Sequence, residues 1–159
     1  MQRAENGAPN VAAIEAAQAA GVGRVVLVGA TLPAWAPSGY VRGKADAAGA
    51  AEALAAAGAG GATVLQPGAV FGTRYTATGT ALPLGLLMGP ASWLLRTWPA
   101  SSAVSQATRL MPYLLEGALV PPVAVEQVAL AATDAALGPG SASGFVTVTN
   151  AELLEWKSV

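Results

Sequence analysis

The sequence predicts an α/β fold in which a parallel sheet is flanked by helices. Two short predicted strands, Val25–Val28 and Thr63–Gln66, alternate with two helical segments in the first half of the chain. The first run is continuously aliphatic without alternation, which is typical of a strand that is covered on both faces. Helices that alternate with buried strands indicate βαβ units, whose strands run parallel.

The elements of the first half are separated by residues that favour helix ends and turns. Asn10 is a good N-cap residue, and Gly21 is a common residue at a helix end. Pro67 and Gly68 stop the second strand. The predicted elements are, in chain order, a helix over 11–20, a strand over 25–28, a helix over 40–57 that glycines end, and a strand over 63–66.

The second half is less regular. Its most apolar stretch, Ala81–Leu95, is broken by prolines and glycines and is shorter than the roughly 20 residues of a membrane-spanning helix. We therefore expect a buried or interfacial segment there. The remaining predicted elements are a helix over 104–115, a helix over 126–137 that Gly138 closes, a strand over 145–149, and a short helix capped by Asn150 that carries Leu153, Leu154 and Trp156.

Composition excludes several kinds of site. The chain has 159 residues, enough for one domain with its own core, and it contains no cysteine and no histidine. A thiolate nucleophile, a zinc site of the Cys/His kind and an imidazole-based triad are thereby excluded, and we expect no metal. Eight basic and nine acidic residues are scattered singly, so no nucleic-acid partner is expected. The first ten residues lack the apolar core of a signal peptide.

The pair Tyr40 and Lys44 points most directly at chemistry. The two residues are four apart in a predicted helix, which places a phenol and an ammonium on the same face. The positive charge favours the tyrosinate there. Such a pair is suited to proton transfer.

Four segments in order carry a resemblance to a known family: 21–30, 39–44, 64–72 and 120–129. Together they resemble the latter part of an atypical or extended short-chain dehydrogenase/reductase. Within it the nearest likeness is to the group of the respiratory complex I Rossmann accessory subunit and a mitochondrial Rossmann protein of ubiquinone biosynthesis. The resemblance implies a partial Rossmann-like domain over 1–159, with a central part over 10–72, a substrate portion over 73–159, and the first, nucleotide-binding βαβ half missing.

The resemblance also implies roles for individual residues. Tyr40 would exchange a proton with the substrate oxygen, while Lys44 would assist it and hold the nicotinamide ribose. The cofactor would be NAD or NADP. The residues implied to contact it are Lys44, Gln66, Pro67, Gly68 and Val70.

The chain departs from the family pattern at three points. Gly29 or Ala30 stands where the family commonly has a serine that polarises the substrate, and Thr31 or Ser38 could take its place. Gln66 stands where arginine is common. The glycine clusters at 58–61 and 138–140 follow helices, so neither is expected to be a phosphate-binding loop, which joins a strand to a helix start. Two further residues, Arg74 and Tyr75, fall at the edge of the substrate pocket by resemblance, or in an exposed loop.

Three functions remain open from the sequence. The first is an oxidoreductase or isomerase that uses NAD(P) and takes a small apolar or prenylated substrate. The second is a non-catalytic assembly or stability factor for a mitochondrial or plastid membrane complex, with Ala81–Leu95 as its docking surface. The third is a truncated, inactive fragment. The second function implies peripheral membrane or protein-complex association. The resemblance favours a mitochondrial location over a plastid or cytoplasmic one.

Overall fold

A three-stranded parallel sheet with helices on both faces forms the centre of the protein. The computed structural model describes residues 5, 7–58, 60–75, 81–83, 120–138 and 143–157. Its helices are α1 (Ala8–Ala19), α2 (Ser38–Ala56), α3 (Val125–Leu137) and α4 (Asn150–Leu154), and its strands are β1 (Arg24–Val28), β2 (Gly61–Leu65), β3 (Val70–Phe71), β4 (Thr73–Tyr75), β5 (Ala81–Pro83), β6 (Val123–Ala124) and β7 (Gly144–Val148).

The sheet has the strand order β1-β2-β7, and both pairs of strands are parallel. Leu27 lies opposite Val64, which in turn lies opposite Thr147. All five residues of β2 are buried, as expected for the middle strand of a sheet that is covered on both faces. The predicted α/β class and the parallel arrangement are confirmed, and the fold is a partial Rossmann-like one.

The two faces of the sheet carry two separate apolar cores. Neighbouring residues of a strand point to opposite faces, so Val64 belongs to one core and Leu65 to the other. The first core joins the sheet to α1 and α2, and the second joins it to α3 and α4. The buried members of the first are Ile14, Leu27, Ala47, Ala51, Leu54, Ala62 and Val64, and those of the second are Leu65, Val123, Val128, Ala131, Val148, Leu153 and Leu154.

The ends of α1 show one prediction confirmed and one wrong. Gly21 ends the helix with φ +69°, and the amides of Gly21 and Val22 donate to the carbonyls of Gln18 and Ala17. This left-handed glycine closure is the one its sequence predicts. The helix begins at Ala8, however, so Asn10 lies inside it and is not the N-cap. Pro9 is tolerated in the first turn because its missing amide hydrogen would have no partner there.

The second half of the chain adds small strand pairs beside the central sheet. β3 pairs with β6 in parallel, and β4 pairs with β5 in antiparallel fashion. The helix predicted over 104–115 and the apolar stretch after Pro83 lie outside the described residues. Within the described ranges, no helix is long and apolar enough to cross a membrane.

The carboxyl end of α3 is capped by an arginine from β1. The predicted helix over 126–137 is confirmed, with Gly138 at its end and no basic residue in its last turn. Instead the Nη1 atom of Arg24 donates to the carbonyl of Ala136 at 3.1 Å and to that of Gly138. A cation at this end interacts favourably with the helix dipole and satisfies carbonyls that have no partner within the helix.

The substitution Arg24→Met should lower the free energy of unfolding by about 1–2 kcal/mol, because charged hydrogen bonds at a helix end are lost while most of the aliphatic stem is kept. Urea unfolding followed by circular dichroism measures the change. The matched control is Arg42→Met on the exposed surface of α2, for which we expect a change within about 0.5 kcal/mol. Equal effects of the two substitutions would contradict the capping role.

Two glycine substitutions should have opposite effects on stability. An alanine at Gly60 would place its Cβ 2.5 Å from the Gly23 carbonyl oxygen, which accepts a hydrogen bond from the amide of Gly61. We expect Gly60→Ala to destabilise the fold by about 1–3 kcal/mol, a typical cost of overpacking. Gly49 lies inside α2 with open space around it, so Gly49→Ala should stabilise by about 0.5–1 kcal/mol. Thermal unfolding of both variants tests the pair, and a Gly60→Ala protein at least as stable as wild type would refute the close approach.

Candidate functional site

The carboxyl ends of the three parallel strands meet at one edge of the sheet, and the loops that leave them are bonded to one another. The amide of Gly29 donates to the Leu65 carbonyl at 2.7 Å, and the amide of Thr31 donates to the Pro67 carbonyl at 2.7 Å. On the other side, the amide of Gln66 donates to the Val148 carbonyl at 2.8 Å. The hydrogen-bond ladder of the sheet thus continues past its strands and fixes the loops at this edge.

Tyr40 and Lys44 lie on one face of α2, directed at this edge, as their spacing predicts. The Nζ atom of Lys44 donates to the carbonyl of Val28, the last residue of β1, at 3.1 Å. The same atom lies 5.9 Å from the centroid of the Tyr40 ring. Both side chains are half-buried. The helix therefore holds the ammonium between the end of a strand and the phenol.

A cleft of about 720 Å³ opens beside Tyr40. Its walls come from the loop after β1, the start of α2, the turn after β2 and Val120. The lining includes the aromatic residue Trp35, which is 53% exposed. The lining residues are Ala30, Thr31, Leu32, Pro33, Ala34, Trp35, Tyr40, Gly68, Ala69 and Val120.

The residues implied to contact a cofactor are distributed around this edge. Gly68 lines the cleft, and Pro67 is buried next to it. Gln66 borders a second cleft of about 520 Å³, which shares Thr31 and Val120 with the first. Val70 lies in β3, is 41% exposed and borders neither cleft. Their roles toward a cofactor stay predictions.

The two hydroxyls that could replace the family serine are placed differently. Thr31 borders both clefts, and its Oγ1 donates to the Gln66 carbonyl at 2.8 Å. Ser38 is the first residue of α2 and borders neither cleft. Gly29 and Ala30 directly follow β1, as the sequence predicts. Of the two candidates, only Thr31 shares the cleft with Tyr40.

Asn150 fixes the turn after β2, a role that the sequence did not reveal. The predicted N-cap position is wrong, because Asn150 is the first residue of α4 and Thr149 is the cap. Asn150 is only 8% exposed, and its Oδ1 accepts from the amide of Gly68 at 2.6 Å while its Nδ2 donates to the carbonyl of Pro121 at 3.0 Å. One side chain therefore joins α4 to Gly68 in the lining of the first cleft and to Pro121 in the lining of the second. The signal in the sequence was an asparagine directly after a strand, which indicates a cap equally well.

The cap of α4 is a reciprocal pair of hydrogen bonds. The amide and hydroxyl of Thr149 each donate to Oε2 of Glu152 at 2.7 Å, and the amide of Glu152 donates back to the Thr149 hydroxyl at 3.4 Å. The two bonds from Thr149 lower the pKa of the Glu152 carboxyl below its ordinary value because they favour the charged form. The bond from the backbone amide has the larger effect. The capping box holds the start of α4, and with it Asn150, at the edge of the sheet.

The structure also describes residues outside the two clefts that the sequence singles out. Gly58, with φ +68°, ends α2, so the glycines that follow do not open a helix. Arg74 and Tyr75 lie in β4, whose backbone pairs with β5. Among the described residues, no group of three or more acidic side chains could hold a metal ion.

Comparison of the chain with models of protein families, with curated proteins and with solved structures finds no match in any of the three. The resemblance to the short-chain dehydrogenase/reductase family therefore rests on the four segments of the sequence.

The stability of α4 should depend on pH through Glu152. Because the pKa of Glu152 is lower in the folded protein than in the unfolded chain, its carboxylate stabilises the fold fully when the pH is above the ordinary carboxyl pKa. This stabilisation is lost as the pH falls through the pKa that Glu152 has in the folded protein. We expect Glu152→Gln to be less stable than wild type at neutral pH and to lose less stability on acidification. Urea unfolding at a series of pH values measures this, with Glu155→Gln, an exposed carboxylate one turn later, as the control. Parallel pH profiles for wild type and Glu152→Gln would contradict the assignment.

Proposed function

We propose that the chain forms the nicotinamide and substrate side of an NAD(P)-dependent oxidoreductase or isomerase of the atypical short-chain dehydrogenase/reductase type. One observation carries the proposal: the Lys44 ammonium bonds to the last carbonyl of β1 while Tyr40, one turn earlier in α2, borders an open cleft. In open α/β sheets, ligands bind outside the carboxyl ends of the strands. The pair lies at that end.

Lys44 is suited to hold a hydroxyl-bearing group and to assist Tyr40. Its ammonium has three hydrogens, and the bond to Val28 uses one, so two remain for ribose hydroxyls. The fixed position, 5.9 Å from the Tyr40 ring, lets the positive charge stabilise the negative charge that develops on the phenol oxygen during proton transfer. Tyr40 would give its proton to, or take one from, an oxygen of a substrate in the cleft.

The residues at the cleft fit one end of a dinucleotide. Gly68 lines the cleft and has no room for a side chain, since an added Cβ would lie 2.7 Å from Val120 Cγ1 and 3.2 Å from Asn150 Oδ1. The described ranges contain no glycine-rich turn from a strand into a helix, so they offer no pyrophosphate site of the Rossmann kind. When bound, such a cofactor supplies or accepts a hydride. The apolar walls at Leu32, Trp35 and Val120 would exclude water and suit an apolar or prenylated substrate.

Titration of NADH and NADPH into the full chain by isothermal calorimetry tests this function. We expect binding by the wild type and a loss of about ten- to a hundredfold in affinity for Lys44→Met, since a charge-assisted hydrogen bond is removed. Lys157→Met removes an exposed lysine far along the chain and should bind as wild type does. The Tyr40→Phe protein should bind the nucleotide as tightly as wild type does, but it should not turn over substrate, because it lacks the hydroxyl that transfers the proton. No binding of either nucleotide to the folded wild-type chain would refute the proposal.

The same variants separate the enzyme from an assembly factor. If the protein acts only by supporting a membrane complex, Tyr40→Phe should still complement a strain that lacks the gene. Loss of complementation on this conservative change, with the fold intact by circular dichroism, would favour the proton-transfer role.

A further inference from the structure

The direction of one hydrogen bond determines what Thr31 can recognise. The Thr31 hydroxyl lies 2.8 Å from the Gln66 carbonyl oxygen, and a carbonyl only accepts, so the single hydroxyl hydrogen belongs to that bond. The Thr31 amide is likewise committed, to the Pro67 carbonyl at 2.7 Å. Thr31 therefore offers the cleft only the lone pairs of its oxygen. Rotation of the hydroxyl to donate elsewhere would leave the Gln66 carbonyl without this partner.

Tyr40 has the opposite capacity. Its phenol hydroxyl makes no hydrogen bond to the described residues, and Tyr40 lines the same cleft as Thr31. A phenol can donate to a carbonyl oxygen of a ligand. The cleft thus pairs one donor, Tyr40, with one oxygen that only accepts, Thr31.

The remaining surface of the cleft is largely apolar in its side chains. Leu32, Pro33, Ala34 and Trp35 form one continuous stretch of it, and Val120 stands on the other side. A ligand that fits must be apolar over the surface that meets these side chains. It must include one hydrogen-bond acceptor for Tyr40 and one donor for Thr31.

We propose that the cleft binds apolar hydroxy ketones, in which a carbonyl accepts from Tyr40 and a neighbouring hydroxyl donates to Thr31. Thr31 is then a specificity-determining residue that selects for the hydroxyl, the reverse of a serine that donates to the reacting oxygen. This inference rests on the proposed function for the identity of the site, but it concerns ligand recognition alone. A ligand that lacks the hydroxyl leaves the Thr31 lone pairs without a partner when water is displaced.

Benzoin and deoxybenzoin form a matched pair of probes, since they differ only in the hydroxyl beside the ketone. Calorimetric titration into the wild-type chain, with no nucleotide present, should give about fivefold tighter binding of benzoin, the contribution of one ordinary hydrogen bond. Equal affinities, tighter binding of deoxybenzoin, or no binding of either compound would overturn the proposal.

Three variants assign the preference to individual atoms. Thr31→Ser keeps the hydroxyl and should keep the fivefold ratio, whereas Thr31→Val should bring the ratio close to one. Tyr40→Phe should weaken both ligands and leave their ratio unchanged. Circular dichroism verifies the fold of each variant, and if Thr31→Val does not fold, the wild-type and Thr31→Ser ratios still decide. A ratio that persists in a folded Thr31→Val protein would exclude Thr31 as the acceptor.

Failure of this proposal is distinguishable from failure of the proposed function. Benzoin selectivity without NADH or NADPH binding would retain the ligand cleft and remove the dinucleotide enzyme. Nucleotide binding that depends on Lys44, without selectivity for the hydroxyl, would retain the enzyme and remove the role of Thr31.

Discussion

The parallel pairing of β1 with β2 is the constraint on which the rest of the structure depends. It aligns the carboxyl ends of the two strands, and the same pattern of bonds continues from Gly29 to Leu65 and from Thr31 to Pro67 after the strands have ended. Because the loops are joined in this way, the cleft has walls that are fixed relative to the sheet. Lys44 then bonds to the end of β1, so the position of α2 is fixed against the same reference.

The local sequence was sufficient to predict most of the regular elements. β1 contains a continuous aliphatic run, and α1 and α2 are followed by glycines with positive φ, a conformation that other residues rarely adopt. The spacing of Tyr40 and Lys44 was enough to place them on one face, since helix geometry alone decides this. These features depend on residues that are close along the chain.

The helix starts that sequence reasoning misplaced depend on nearby residues, whereas the hydrogen bonds that it missed join residues far apart in the chain. Asn10 and Asn150 both have the side chain of an N-cap, but Pro9 allows α1 to start earlier, and Thr149 with Glu152 forms a better cap for α4. The bond from Asn150 to Gly68 spans 82 residues, and that from Thr31 to Gln66 spans 35. The assembled fold determines which distant group such a polar side chain bonds to. The residues next to that side chain in the sequence do not determine it.

The arginine that caps α3 lies at the edge of the sheet opposite to the cleft. It begins β1, a strand that pairs on one side only within the described residues, and it reaches the end of a helix that belongs to the other apolar core. Detachment of this outer strand must therefore also free the last turn of that helix. This contact joins the two layers at a distance from the loops that line the cleft, so a substitution there can change the stability of the fold without changing the lining of the cleft.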